Sequence, residues 1–313
     1  MTTRRRSLLA MALTLPAAAM AAPDTPPPLP RVATGRVERL HLDTGELPPR
    51  PVDVWLPTDH DPGRRYQVLY AHDGQMLFDA STTWNRQAWD LHLAVDSAVR
   101  TGRIADTIIV GIWNGGPRRY AEYYPRKMLD RVPEPLRGEY LARAMDGRSD
   151  ADTYLHFLVD TLKPEIDRRY STHRDAAHTA VMGSSMGGLI SLYALAEHPQ
   201  VFGAAAALST HWVGLPSAWG PARLRNAALP LAAFEYLQAA LPAPGRHRIY
   251  MDRGTTELDV FYAPHQVFVD ELMHGLGWRT PDFVSRVVDG AGHNERDWSA
   301  RAGEVVAFLL GAR

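Results

Sequence analysis

The stretch Thr179-Ala180-Val181-Met182-Gly183-Ser184-Ser185-Met186-Gly187-Gly188 carries the strongest structural signal in the chain. Its first four residues predict a buried strand, and the apolar residues after it predict a helix to about residue 197. Gly183 and Gly187 stand two residues either side of Ser185, which fits Gly-x-Ser-x-Gly. A sharp strand-to-helix turn needs glycine there, and its helix N-terminus directs N–H groups at a developing oxyanion. Ser185 is therefore predicted to be a nucleophile, whereas Ser184 lacks glycine at both positions.

The composition supports a serine nucleophile in a globular protein. The chain has 313 residues, of which 45% are hydrophobic and 22% charged, and it contains no cysteine. The lack of cysteine excludes disulfides, thiol nucleophiles and zinc–thiolate sites. A formal net charge of −1 gives no electrostatic argument for binding nucleic acid.

The N-terminus has the pattern of a secretory signal peptide. Arg4-Arg5-Arg6 precede an uncharged run that ends in Ala19-Met20-Ala21. This run is shorter than the roughly 20 apolar residues that span a bilayer, and no later stretch is long enough. We expect residues 1–21 to be removed on export to the periplasm or medium, by the general or twin-arginine route, leaving no integral membrane association. An uncleaved anchor is the alternative, and the prolines in 22–34 predict an extended linker.

The remaining sequence alternates predicted strands and helices. Half-exposed strands at 37–42 and 52–56 come first, and buried strands then alternate with helices as far as a final helix at 296–309. This order predicts an α/β fold, with a mostly parallel central sheet, antiparallel N-terminal strands and helices on both faces. Residues 35–313 are predicted to be one domain, with insertions near 114–150 and 211–230.

A serine on such a turn requires a histidine and an acid later in the chain. His293 lies among small residues just after a predicted strand, where a histidine that faces a ligand is expected. His265 and His274 lie on a predicted helix and are expected to be surface or packing residues. The acid stays open from the residues alone, because three carboxylates follow the strand at 246–251: Asp252, Glu257 and Asp259.

The oxyanion hole is predicted from two backbone N–H groups. One belongs to Met186, and the other to Gln75, which follows the predicted strand end and turn at His72-Asp73-Gly74. His72 and Asp73 have no partners at metal-ligand spacing, so no metal site is predicted.

Together these segments resemble the esterase D-like family of α/β hydrolases, which includes feruloyl, acetyl-xylan and siderophore esterases, S-formylglutathione hydrolases and mycolyltransferases. The resemblance covers about residues 35–311. It rests on four blocks: Tyr70-Ala71-His72-Asp73-Gly74-Gln75, Met182-Gly183-Ser184-Ser185-Met186-Gly187-Gly188, Gly254-Thr255-Thr256-Glu257, and Gly292-His293-Asn294-Glu295 with Trp298. It implies the α/β-hydrolase fold. Relatives carry the acid in a Gly-Thr-containing loop, which favours Glu257 over Asp252.

The expected activity is that of an exported serine carboxylic-ester hydrolase that forms an acyl-enzyme on Ser185, with His293 as base, Glu257 as acid and no cofactor. Arginines and aromatic side chains in the insertions are expected to bind a carbohydrate-linked, phenolic or siderophore ester, unless they only pack the loops: Arg118, Arg119, Tyr120, Tyr123, Tyr124, His211 and Trp212. An acyltransferase would use the same catalytic residues. A non-catalytic binding module is disfavoured because Ser185 and His293 are both present.

Overall fold

Eight strands form one sheet at the centre of the structure, a computed structural model that describes residues 27–312. The strands are β1 (Arg36–His41), β2 (Pro51–Leu56), β3 (Gln67–His72), β4 (Thr107–Ile112), β5 (Thr179–Ser184), β6 (Ala204–Leu208), β7 (Arg248–Gly254) and β8 (Phe283–Val288). Their spatial order is β1-β2-β4-β3-β5-β6-β7-β8. The pairs β1–β2 and β2–β4 are antiparallel, and all other neighbours are parallel. This topology confirms the predicted α/β fold.

Helices cover both faces of the sheet. The α-helices of the described residues are α1 (Leu91–Arg100), α2 (Arg119–Tyr123), α3 (Arg126–Leu129), α4 (Leu136–Ala144), α5 (Ala151–His156), α6 (Lys163–Arg169), α7 (Met186–Glu197), α8 (Ala228–Ala240), α9 (Ala263–Gly275) and α10 (Glu295–Leu310). Within β5, Ala180 and Met182 pack with α1 and α10, whereas Val181 packs on the opposite face with α7 and α8. Burial on both faces explains the continuous apolar sequence of this strand.

The parallel strands β3, β5, β6, β7 and β8 all end at the same edge of the sheet. In open α/β sheets this edge is where ligands bind. The loops that follow these strands carry the predicted nucleophile, histidine and oxyanion-hole segments, so the topology brings them to one side of the molecule.

The two predicted insertions contain more regular structure than the sequence indicated. Residues 114–150 hold α2, α3 and α4, and residues 211–230 hold two short 3-10 turns. The insertions contact each other, because the hydroxyl of Tyr140 donates to the carbonyl of Gly214 and Arg223 pairs with Glu139 at 3.0 Å. A single layer above the sheet edge results.

The described N-terminal residues lie against the domain. Residues 27–34 have no helix or strand, as the proline content predicts, but the N–H of Arg31 donates to Asp79 at 2.8 Å, and the indole of Trp55 donates to the carbonyl of Thr34 at 2.7 Å. This part of the predicted linker is therefore bound to the domain surface. The predicted signal peptide lies outside the described residues. Among residues 27–312, no helix has the length and apolar character needed to cross a membrane.

Candidate active site

Ser185 occupies the turn between β5 and α7. Its backbone has φ 58° and ψ −122°, a positive-φ conformation that a residue with a side chain adopts only under strain. A Cβ on Gly183 would lie 2.8 Å from the carbonyl carbon of Gly187, so the turn requires glycine there. From residue 179 to residue 196, Ser185 is the single position that is not buried. The turn therefore presents one hydroxyl to the sheet edge.

Met186 and Gln75, whose N–H groups are predicted to form an oxyanion hole, lie on two segments that contact each other. Met186 is the first residue of α7, so its N–H has no acceptor within the helix. Gln75 is in the short 3-10 turn Gly74–Met76, which begins after Asp73 in the left-handed conformation. The two segments are in contact, because a Cβ on Gly187 would lie 3.4 Å from both the His72 Cβ and the Asp73 carboxylate.

His293 is oriented by a buried carboxylate, that of Asp259. The His293 Nδ1 and the Asp259 Oδ1 are 2.6 Å apart, and Asp259 is completely buried. The other carboxylate oxygen accepts from the Ser209 hydroxyl at 2.6 Å and from the N–H of Gly254. Burial raises the pKa of Asp259, but the hydrogen bonds from His293, Ser209 and Gly254 outweigh it, and the pKa lies below its ordinary value. An ionised Asp259 holds the proton of His293 on Nδ1 and leaves Nε2 free to accept one.

The structure corrects the predicted acid, since neither Glu257 nor Asp252 contacts the imidazole of His293. Glu257 is exposed and its carboxylate accepts from the backbone N–H of His293 at 2.8 Å. Asp252 lies inside β7 rather than at its end, and its oxygens accept from Arg301 at 2.7 and 2.9 Å. The 3-10 turn Glu257–Phe261 is the physical reason, because it turns Asp259 inwards and leaves Glu257 on the surface.

A buried tyrosine, Tyr262, joins the serine and the histidine. Its ring meets the His293 ring edge-on at a centroid distance of 5.7 Å, and its hydroxyl interacts with the Ser185 side chain. His211 fixes the direction of the phenol proton. The Nε2 of His211 donates to the carbonyl of Leu215 at 2.7 Å, so its Nδ1 must accept from the Tyr262 hydroxyl. The Tyr262 oxygen therefore presents its lone pairs towards Ser185.

The sequence predicts that His211 contacts substrate, and the structure corrects this. His211 is buried and belongs to the framework that holds Tyr262 in place. Burial lowers the pKa of His211 to about 3, so the imidazole is neutral at neutral pH. His72 is similar: it is buried, its Nδ1 is 2.8 Å from the Tyr154 hydroxyl, and burial lowers its pKa to about 3.

Four of the seven predicted substrate-binding residues are fully or almost fully buried, which corrects that prediction for Tyr123, Tyr124, His211 and Trp212. The hydroxyl of Tyr123 accepts from the N–H of Asp73 at 3.2 Å, and the Trp212 indole donates to Gln266 at 3.2 Å. Their apolar rings pack the layer formed by the insertions. Sequence alone could not distinguish this use of aromatic side chains from a stacking surface.

The two neighbouring arginines also differ in their contacts. Arg118 donates to Asp150 at 2.5 and 2.9 Å and to two backbone carbonyls, so it fixes the insertion. Arg119 forms a two-pronged pair with Asp73, at 2.7 Å for both bonds, and Tyr120 beside it is partly buried. Arg119 and Tyr120 therefore remain the members of the predicted set that a substrate could contact.

The Arg119–Asp73 pair fixes the segment that carries Gln75. Burial lowers the pKa of Arg119, but the Asp73 carboxylate outweighs it and holds the pKa above its ordinary value. Burial raises the pKa of Asp73, but the larger opposing effect of Arg119 and the Asn114 amide holds this pKa below its ordinary value. Both groups are therefore charged at neutral pH. Asp73 is therefore held by Arg119 and by the amide of Asn114, which donates at 2.7 Å.

Comparisons with known proteins identify similar sequences and a similar fold. A sequence model of the family described as "Putative esterase" matches residues 48–301. The siderophore triacetylfusarinine C esterase of Aspergillus fumigatus is 30% identical over 184 residues, which cover 57% of this chain and 55% of that protein. The siderophore enterobactin esterase of Emericella nidulans is 25% identical over 171 residues, or 53% of this chain and 51% of that protein. The chain thus spans about half the length of these two relatives.

Solved structures share the fold over most of this chain, and one of them illustrates the similarity. A ferulic acid esterase superposes with a TM-score of 0.61 at 20% identity, covering 88% of this chain and 98% of that one.

Proposed function

Because the chain belongs to the esterase family whose sequence model it matches, we propose that it is a serine carboxylic-ester hydrolase that forms an acyl-enzyme on Ser185. Membership of this family confirms the resemblance to esterases of the α/β-hydrolase class. The observation that carries the proposed mechanism is the partly accessible serine on a strained glycine-flanked turn, at the sheet edge where His293 is held by the buried Asp259.

The reaction proceeds in two halves. The Oγ of Ser185 attacks the ester carbonyl carbon while the Nε2 of His293 takes the hydroxyl proton, and Asp259 stabilises the imidazolium. The N–H groups of Met186 and Gln75 donate to the oxyanion of the tetrahedral intermediate. Collapse of this intermediate breaks the ester C–O bond, and His293 returns the proton to the leaving alcohol. Water then repeats the sequence on the acyl-enzyme, which releases the carboxylic acid and restores Ser185.

The proposed substrates are small-molecule or glycan esters with a phenolic, siderophore or carbohydrate-linked group. Two relatives are named as siderophore esterases and one structural neighbour as a ferulic acid esterase, which supports an aromatic or siderophore ester. Arg119 and Tyr120 lie next to the oxyanion-hole segment and are accessible to such a group. The basic and apolar pattern of residues 1–21 supports action in the periplasm or outside the cell.

A panel of esters tests this proposal. The protein is assayed for kcat/KM on feruloyl, catecholate-siderophore, acetyl-xylan and short p-nitrophenyl esters, beside Ser185→Ala and the neighbouring Ser184→Ala as a matched control. We expect turnover by the wild type and Ser184→Ala, and loss to near background in Ser185→Ala. Turnover of no ester, or full turnover by Ser185→Ala, would overturn the proposal. Products formed with added alcohol or sugar acceptors distinguish hydrolysis from acyl transfer.

A further inference from the structure

A second cluster of chemically active side chains lies at the opposite edge of the sheet from Ser185. His173, Asp175 and His178 occupy the loop that leads into β5, and their ligand-type atoms all lie within 4.8 Å of one another. Among residues 27–312 this is the one group of three or more histidine, aspartate or glutamate side chains with metal-binding spacing. We propose that these three residues bind a divalent transition-metal ion of the zinc type.

The three side chains lie close enough together to share one ion after a change of side-chain rotamer. The rings of His173 and His178 stack at a centroid distance of 4.2 Å and an angle of 20°, so their nitrogen lone pairs lie in nearly parallel planes and one ring has to rotate before both can bind the same ion. Nitrogen and oxygen ligands of a tetrahedral Zn²⁺ lie about 3.4 Å apart, given metal–ligand bonds of roughly 2.0–2.1 Å. The side chains of His178 and Asp175 are 37% and 57% exposed, which leaves them room to rotate and close the site.

The contact between His178 and Asp175 shows how the ion fits. The Nδ1 of His178 lies 2.8 and 3.0 Å from the two carboxylate oxygens of Asp175. The hydrogen bond between them therefore places a proton between a nitrogen and an oxygen of the kinds that bind metal ions. An ion that replaces this proton needs the pair to separate by about 0.6 Å to reach the tetrahedral spacing. Two imidazoles with one carboxylate form a donor set suited to Zn²⁺ and to similar ions.

The backbone holds the three residues in place. The N–H of His173 donates to the carbonyl of Tyr66 at 2.9 Å, next to the bridge between Tyr66 and Thr172. The N–H of His178 donates to the carbonyl of Asp175 at 3.2 Å, and β5 begins at the next residue. Both ends of the loop are therefore anchored to the sheet, so binding an ion requires little ordering of the chain.

The site is separate from the ester chemistry. β5 joins His178 to Ser185 and its six residues span about 20 Å, so the ion cannot touch the reacting atoms. An open groove of about 970 Å³ is lined by Asp175 and His178 and gives an ion access from solvent. The expected consequence of binding is a more stable loop and not a change in the reaction.

Titration calorimetry with Zn²⁺ tests the inference on the full protein without a histidine tag. We expect one equivalent of Zn²⁺ to bind, and the affinity to fall by at least tenfold in each of His173→Ala, His178→Ala and Asp175→Asn. The reason is that even the loss of a residue that only hydrogen-bonds to a metal ligand lowers metal affinity by about 10–100-fold. His156→Ala is the matched control, because His156 forms an exposed pair with Asp160 at 2.7 Å and stands outside the cluster.

Thermal unfolding provides the second readout. Zn²⁺ should raise the Tm of the wild type and of His156→Ala but leave that of His178→Ala unchanged, since an ion that binds the folded state alone stabilises it. Ester turnover of His173→Ala and His178→Ala should match the wild type, which verifies folding independently of the metal. Binding that survives all three substitutions, or that His156→Ala weakens equally, would overturn the proposal.

Discussion

Replacing Asp259 by asparagine tests the acid of the proposed triad most sharply. One oxygen of Asp259 accepts from two donors, the Ser209 hydroxyl and the N–H of Gly254, while the other oxygen faces the Nδ1 of His293. The amide nitrogen of the new asparagine cannot accept a hydrogen bond. The asparagine therefore places its oxygen towards the two donors, Ser209 and Gly254, and its nitrogen towards the Nδ1 of His293. The imidazole must then carry its proton on Nε2, which prevents it from accepting the proton of Ser185.

The expected loss follows from the role of this proton. In serine hydrolases with a Ser-His-Asp triad, the Asp→Asn change lowers kcat by about 10⁴, which corresponds to about 5.5 kcal/mol. Glu257→Gln alters an exposed carboxylate that accepts from the backbone N–H of His293 and from the Asn294 amide, so we expect a loss of about tenfold or less. Asp252→Asn breaks a buried pair with Arg301 and should mainly lower stability, by about 3–5 kcal/mol.

The assay is kcat on a p-nitrophenyl ester for the wild type and the three variants, with the Tm measured on the same samples. Asp259→Asn should retain a folded Tm and lose nearly all turnover, whereas Glu257→Gln should retain its Tm and lose no more than about tenfold in turnover. If Asp259→Asn stayed within tenfold of the wild type while Glu257→Gln lost a thousandfold, the assignment of the acid would be refuted.

Three further predictions concern stability. Burial lowers the pKa of His72 and His211 to about 3, so below pH 6.5 the unfolded chain binds protons that the folded chain does not. Each of the two histidines should therefore lower the free energy of unfolding by about 2 kcal/mol at pH 5 relative to pH 8. Equal urea midpoints at the two pH values would contradict this. The Tyr124 hydroxyl is buried with no hydrogen-bond partner among the described residues, so Tyr124→Phe should leave kcat/KM unchanged and raise stability by about 1 kcal/mol, whereas a loss of kcat/KM would restore a role in substrate binding. Gly183→Ala places a Cβ 2.8 Å from the backbone of Gly187 and should lower both Tm and turnover, while wild-type values for both would refute the steric argument.

The nucleophile turn could be predicted from sequence because its geometry leaves few residue types possible. Glycine at 183 and 187, an apolar run before Ser185 and another after it specify a buried strand, a close contact and a helix. The parallel sheet could also be predicted from sequence, because its strands are continuously apolar and such strands require cover on both faces. These features depend on local sterics and on burial, both of which appear in the residue types.

The acid could not be chosen from sequence because three carboxylates lie within eight residues and the backbone alone decides which one points inwards. The 3-10 turn Glu257–Phe261 buries Asp259 and exposes Glu257. The neighbouring residues give no signal, since Leu258 and Val260 are both apolar, yet Leu258 is only partly buried and Val260 is exposed.

The substrate-binding set was over-predicted for a related reason. Aromatic side chains such as Tyr124 and Trp212 have the same composition signature in a packed insertion as on a stacking surface. Their burial depends on α4 and the 211–230 segment, whose packing on each other is a long-range contact that no local pattern specifies.

Covalent labelling of the nucleophile tests the central claim most directly. The protein is treated with an alkyl fluorophosphonate, which phosphonylates an activated serine, and the modified peptide is located by mass spectrometry. The proposed mechanism predicts one label per chain on Ser185, loss of ester turnover in proportion to labelling, and no label on the folded Ser185→Ala variant. Complete loss of turnover with the label on another residue and Ser185 unmodified would contradict it.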